Sequence, residues 1–502
     1  PTPEVGFDLG LGFDVPHHDY QPPMPAFDFS EIRRFDRALK LCKLGRMADA
    51  VRALMPAKRA PRNDETLAKV RGFFPAPRGD ELDLESLRAL LAERDVEEAF
   101  SPDTFAETIR DAARGKAADR FGCRAEHLQA LLGSEDGRAA IALIRQRELA
   151  ILAGKAPVSI LSVAGGGRLI ALEKPDNRGV RPVVVVDTPR KLALSAIAAQ
   201  VRPSLQPHFS SSNGRVVQHA CGVSRGTQKF HLAVSEYLRL NKTDILVLAD
   251  SDNAFQRVSV QRAVEGAKRL GEAGVPLLWA VAGLYANPSP ISFFLENGTR
   301  AIIERLTGVL QGCPLGTLLF CLAVHPLVVE TLEHPDLQDV KHFSFADDSA
   351  TAGPMGPCVA ATAAIDKTLN EKAGLSTKYW KVLRGVDAPS PDAIRAEFAK
   401  QGLDTEKLQI VEHGIDTGSN ARTEGGPRFD DYGTKLMGGP VGSRSFAERF
   451  VGDLADHHAT ALEAIRPFGA RHPRRAINML MFCSVPRMQH AYSMVPWDIA
   501  RE

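Results

Sequence analysis

Apolar and polar positions along this chain change period several times, and the changes divide it. Residues 1–29 hold many Pro, Gly and Asp and no sustained period, which predicts a disordered tail. From Ser30, an N-cap residue type, Ile32, Phe35 and Leu39 recur at helical spacing until Gly45. A second short helix over 47–55 stops at Pro56. Residues 56–80 read as a connector containing Pro and Arg. Helical spacing returns over 82–91, from Ser101-Pro102 to 113, over 123–132 and over 138–152. Residues 30–155 are therefore expected to form a helical extension in which nothing demands catalysis.

The period then shortens. Residues 168–172 and 181–186 read as strands joined by the turn Lys174–Gly179, a hairpin signature. A helix over 188–201 follows. After a stretch carrying Gly222 and Gly226, and a further helix, comes Asp244-Ile-Leu-Val-Leu-Ala-Asp250. A buried strand ending on an acid delivers that carboxylate to the edge of a sheet, where sites form. Asn253-Ala254-Phe255 leads to a helix from 260, and 278–285 is apolar. Residues 291–296 and 300–304 read as a hairpin over Asn297-Gly298. Gly308–Gly316 is a glycine-rich turn opening a long apolar helix over 315–329, with Pro314 near its N1 position. In Val340–Gly353, Phe343 and Phe345 alternate with polar residues before Asp347-Asp348, so both acids are expected at a hairpin turn. A helix over 359–373 follows. Residues 384–430 are expected to be an irregular insertion, 435–442 a tight turn between short strands, and 446–497 mainly helix. His457 and His458 read as a solvated helix face.

Composition narrows the class without naming a partner. The 502 residues are 44% hydrophobic and 25% charged, as in a globular protein of several structural units. A net charge of +1 means that any nucleic-acid surface must be locally basic. Between Arg168 and Arg202 there are seven Lys/Arg against three Asp/Glu, a surface suited to phosphates. The seven cysteines are scattered without CxxC, which suggests reduced thiols inside a cell. No apolar run is long enough for a membrane span, so no membrane partner is expected. The chain opens on Pro1 and is expected to be either processed or a piece of a longer reading frame.

Taken alone, an Asp-Asp pair is a solvated turn. Asp250 changes that. One acid at a strand end and two at a hairpin tip are the carboxylate set that two-metal phosphoryl transfer uses, with two Mg²⁺ ions bridged by shared carboxylates.

The ordered segments resemble reverse transcriptases of non-LTR retrotransposons, most closely from Arg168 to Lys381 and more weakly to Pro496. Phe345-Ala-Asp-Asp348 matches that family's acidic hairpin, and Asp250-Ser-Asp-Asn-Ala-Phe255 its preceding acid. Gly308-Val-Leu-Gln-Gly-Cys-Pro-Leu-Gly316 matches its glycine-rich turn. Lys174 with Arg181-Pro182-Val183, Gly374-Leu375 with Lys381, and Met437–Gly442 match further pieces in order. The resemblance implies an α+β right-hand polymerase: fingers and palm over 156–383, then, beyond the insertion, the end of the palm and a helical thumb over 431–502. It implies that Asp250, Asp347 and Asp348 hold two Mg²⁺ ions, that Lys174 and Arg181 clamp the triphosphate, and that Phe255 excludes a 2′-hydroxyl. Gln311 and Gly312 would approach nucleotide and template, the turn at Gly442 would grip the primer, and Lys381 would be a general acid. Arg471, Arg474 and Arg475 would track the duplex or form a solvated face. Implied partners are an RNA template, a DNA primer, dNTPs and further domains of a polyprotein, in the nucleus. Gly122-x-Arg-Ala-Glu-His-Leu128 resembles part of the family's N-terminal extension. The lead before it, Lys116–Phe121, departs from the pattern, as does Gly316-Thr317 for the common Ser-Pro. The alternative is a decayed or domesticated copy that binds nucleic acid without catalysis. No Cys/His cluster or spare acid set remains for a nuclease, so target cutting is not expected of this chain alone.

Overall fold

The computed structural model describes residues 29–43, 47–54, 59–78, 80–116, 118–174, 179–285, 287–412, 433–484, 489 and 493–495. The expected tail through residue 28, the turn residues 175–178, the part of the insertion over 413–432 and most of the chain after 484 lie outside these.

Helices come first: α1 (Phe29–Lys43), α2 (Met47–Leu54), α3 (Asp64–Arg71), α4 (Leu84–Ala92), α5 (Pro102–Asp111), α6 (Ala125–Leu131), α7 (Glu135–Leu152) and α8 (Val158–Ala164). The connector expected over 56–80 thus contains a helix. Asn63 caps α3 by accepting a hydrogen bond from the Thr66 N–H at 2.9 Å, and two acids follow it in the first turn. That signal was hidden by the Pro and Arg content around it. Ser101 caps α5 in the same way, at 3.1 Å from the Thr104 N–H.

The rest of the chain is mixed α/β. In order it forms β1 (Gly167–Glu173), β2 (Val180–Val185), α9 (Thr188–Val201), β3 (Val216–Gln218), α10 (Gly226–Leu240), β4 (Ile245–Ser251), α11 (Ala254–Arg257), α12 (Val260–Lys268) and α13 (Val275–Leu284). Then come β5 (Ser289–Phe294), β6 (Arg300–Arg305), α14 (Gly316–Leu332), β7 (Lys341–Phe345), β8 (Asp348–Gly353), α15 (Met355–Ala373) and β9 (Thr377–Arg384). The last elements are α16 (Pro391–Lys400), β10 (Leu408–Ile410), β11 (Gly433–Leu436), β12 (Gly439–Gly442), α17 (Arg444–Arg471) and α18 (Pro473–Met479).

Two expectations are corrected here. Residues 391–410 are not irregular: Ser390 caps α16, and β10 pairs parallel to β9 as an edge strand. Pro314 is not at N1 of the long helix, because α14 starts at Gly316 with Leu315 as its cap.

The strands make a four-stranded sheet, β2-β1-β5-β6, a six-stranded sheet, β10-β9-β4-β8-β7-β3, and the pair β11-β12. In the larger sheet β4 is central and antiparallel to both neighbours. Its faces sort by period two. Ile245 and Val247 pack with Cys358, Val359 and Trp380 on the side covered by α15 and α16. Leu246 packs with Phe230, Val234 and Ala350 on the side covered by α10. The second face is the one that leads to Asp250.

The largest core joins the smaller sheet, helices α3–α9 and α12–α14. Within it α12 and α14 touch at Gly266, where a Cβ would meet the Leu322 carbonyl. The buried Arg190–Glu148 ion pair ties α9 to α7. A separate core closes the chain on itself. Phe35, Leu41 and Leu54 of α1 and α2 pack with Ile465, Phe468 and Met479 of α17 and α18. The Phe35 and Phe468 rings meet edge to face at 5.8 Å, and the Arg471 guanidinium lies 5.3 Å above Phe35. Arg471 therefore lies over a helix interface; both it and Arg474 are exposed. His458 is buried, not solvated; the side chain of His457 lies outside the described ones.

Gly266→Ala is expected to destabilise the protein by about 1–3 kcal/mol through overpacking at this backbone contact. Gly452→Ala, in α17 with open space around its Cβ, is expected to be neutral or to stabilise by up to about 1 kcal/mol. Urea unfolding of the two variants beside the parent checks both.

Candidate active site

The acids meet because of strand register. Phe345 pairs with Asp348 across the β7–β8 hairpin, leaving Ala346 and Asp347 as a two-residue loop. Asp347 is thus in the turn, and Asp348 is the first residue of β8. On the other side β8 pairs with β4, from Ile245↔Gly353 to Ala249↔Ser349. Continuing that register brings Asp348 beside Asp250 on one sheet face, the face of Leu246 and Ala350.

Their electrostatics record the proximity. Burial raises the pKa of Asp347, and the Asp250 charge adds to it. Asp348 is pushed up to about 7, first by burial and then by Asp347 and Asp250. Asp250 is raised by burial, while Lys378, Lys174 and a hydrogen bond with Tyr379 favour its charged form. Arg181 favours the charged forms of Asp347 and Asp348. Lys174 and Arg181 sit at the turn end of the β1–β2 hairpin, where Leu172 pairs with Arg181. The structure therefore brings Asp250, Asp347, Asp348, Lys174 and Arg181 to one place.

Lys378 was not legible as part of this group. The β4–β9 register slips between Asp250 and Ser251: Asp250 pairs with Tyr379, but Ser251 pairs with Thr377. Lys378 is the extra residue of this bulge, and a bulge re-aims side chains. Nothing in a local pattern announces a slip between strands so distant in the chain.

The remaining candidates surround the group. The Phe255 ring stacks on Phe320 at 5.0 Å and is half-buried. Its carbonyl accepts a hydrogen bond from the Val309 N–H at 2.6 Å, which fastens the glycine-rich turn to α11. The Gln311 carbonyl accepts from the Val184 N–H at 2.8 Å, and Gly312, at φ 111°, is exposed where a Cβ would strike the Val184 carbonyl. The turn thus lies along β2. Lys381, opposite Leu248 on the same face as Asp250, donates from Nζ to Thr434 Oγ1 of β11 at 3.1 Å.

Backbone strain concentrates here. The described non-glycine residues with positive φ are Arg225, Asn253, Ala346 and Met437. They stand before α10, just after β4, at the acidic tip and at the β11–β12 turn. Asn tolerates this region, but for an alanine it costs roughly 1–2 kcal/mol, which surrounding contacts must offset.

Among the described residues, no group of three or more His, Cys, Asp or Glu forms a ready-made metal cluster. The donor set still fits Mg²⁺. All its donors are carboxylate oxygens, their mutual repulsion favours a cation, and Mg²⁺ keeps waters and substrate phosphates in place of a full protein cage.

The family model described as reverse transcriptase (RNA-dependent DNA polymerase) matches residues 172–378. The matched stretch runs from β1 into β9 and takes in the three acids, Lys174, Arg181, Lys378, Phe255, Gln311 and Gly312; Lys381 lies just beyond it. The match supports RNA-directed DNA polymerase activity in general terms, with nucleic acid and dNTPs as substrates. No curated protein was found to match the chain.

Asp348 gives a test by pH. A carboxylate whose folded pKa is raised costs stability above that pKa, and the cost fades as pH falls toward the unfolded value. Asp348→Asn should therefore raise the melting temperature by a few degrees above about pH 7 in chelator, with the gain lost toward pH 4. Thermal melts across that range check it.

Proposed function

We propose that this chain is the reverse transcriptase of a non-LTR retrotransposon, extending a DNA 3′ end with dNTPs on an RNA template. The observation that carries the reading is the convergence of Asp250, Asp347 and Asp348 on one sheet face, with Lys174 and Arg181 the cations that offset Asp347, inside the matched segment. In this reading the six-stranded sheet is the palm, the four-stranded sheet the fingers, and α17–α18 the thumb.

The three carboxylates would hold two Mg²⁺ ions, which when bound would supply acidification of the 3′-hydroxyl and neutralisation of pyrophosphate charge. Lys174 and Arg181 bind the triphosphate as a point charge and a fork. Phe255, backed by Phe320, fills the space a 2′-hydroxyl would need. Gln311 and the exposed Gly312 let backbone approach the templating pair. Lys381, held on the face of Asp250 by Thr434, is the proton donor to pyrophosphate. The β11–β12 turn carries the primer end. The site of action is the nucleus, within a longer polyprotein.

Primer extension on an RNA template with Mg²⁺ and dNTPs tests this. Asp347→Ala is expected to lower incorporation at least about 100-fold. No incorporation by the parent protein, or an unchanged rate in Asp347→Ala, would sink the assignment.

Phe255 makes a separate prediction. Phe255→Val should cut the preference for dNTPs over rNTPs by roughly tenfold or more, because removed bulk no longer rejects the hydroxyl. Competition between the two nucleotide types in the same assay reads it directly; an unchanged ratio would leave Phe255 as a core residue.

A further inference from the structure

One side chain that the reading above leaves without a role grips the acidic hairpin. Gln218 ends β3, the strand beside β7, and is 1% exposed. Its Oε1 accepts hydrogen bonds from the backbone N–H of Ala346 and of Ala220, each at 3.0 Å. Its Nε2 donates to the Ala346 carbonyl at 3.4 Å. Two N–H donors need an oxygen opposite them, so the orientation of the carboxamide follows from its partners.

A single planar amide therefore holds both peptide groups of residue 346. That residue has φ 54°, which an alanine leaves unless it is held. The β7–β8 ladder ends at Phe345↔Asp348 and does not fasten the loop between them. The carbonyl that Gln218 grips belongs to the peptide joining Ala346 to Asp347, so its plane sets the direction in which Asp347 departs. The bond to Ala220 anchors the same amide in the segment leading to α10.

We propose that Gln218 is a positioning residue for polymerisation: its carboxamide holds the strained Ala346 peptide groups so that Asp347 faces the pair Asp250 and Asp348. The proposal rests on the polymerase reading. Gln218 does not touch substrate; it acts through the hairpin. An apolar residue of its shape would bury the Ala346 N–H and carbonyl without partners, and the loop would move to regain them.

The test compares Gln218→Met, which keeps the shape and removes all three bonds, with the parent chain. In primer extension kcat should fall on the order of 10–100-fold with little change in KM for dNTP, as expected for misplaced reacting groups. The melting temperature should stay near that of the parent, while backbone hydrogen exchange over 340–353 should quicken. Gln218→Asn, polar but one methylene shorter, should lose kcat in the same direction and serves if the Met variant does not fold. Parent-like kcat and hairpin exchange in Gln218→Met overturn the proposal, as does a loss of rate that merely follows a loss of folded protein. Quickened exchange in a chain whose parent form incorporates no dNTP removes the polymerase reading instead, and leaves the grip of Gln218 on the hairpin standing.

Discussion

Like charges held side by side are the constraint on which the rest of this structure depends. Asp250 and Asp348 share a face because side chains alternate along β4 and β8, and Asp347 is added by the turn. A slip of one residue in either pairing would send one acid to the opposite face, into the layer occupied by Val359 and Trp380. The apolar residues of β4 oppose such a slip, since Leu246 and Val247 would then exchange cores. The same burial that fixes register also raises the carboxylates' pKa values, so the packing that assembles the group makes it hold its charge at a cost.

Much of this was legible because it is local. The alternation before Asp347, the apolar strand ending at Asp250 and the turn at Asn297-Gly298 each fit in a window of a few residues, and each formed as read. So did the helix over 188–201, with Pro189 in its first turn. What stayed hidden needs information from elsewhere in the fold. Lys378 joins the site through a slip against β4. β10 is three residues long and exists because β9 offers it an edge. His458 is buried by packing around a helix whose pattern near it is polar. α16 is different: Ser390-Pro391-Asp392 carries the same start signal as Ser101-Pro102-Asp103, and the polar stretch around it masked a readable cue.

The strained positions tell a related story. The positive-φ residues Ala346 and Met437 each sit in a two-residue loop between paired strands, and Asn253 opens the short helix that carries Phe255. Tight turns of this kind aim side chains more narrowly than longer loops do, because few backbone states satisfy both flanking strands. The framework thus spends conformational freedom where aim matters.

The packing of α1 and α2 against α17 and α18 also orders events in time. Phe35 leaves the ribosome long before Phe468, Ala476 and Met479 exist to cover it. At ordinary elongation speeds the wait is on the order of 20–90 s. Helices α1 and α2 are thus made well before the partners that cover them. Their apolar stripes stay open to chaperones, or to neighbouring nascent chains on the same message, until α17 and α18 have emerged.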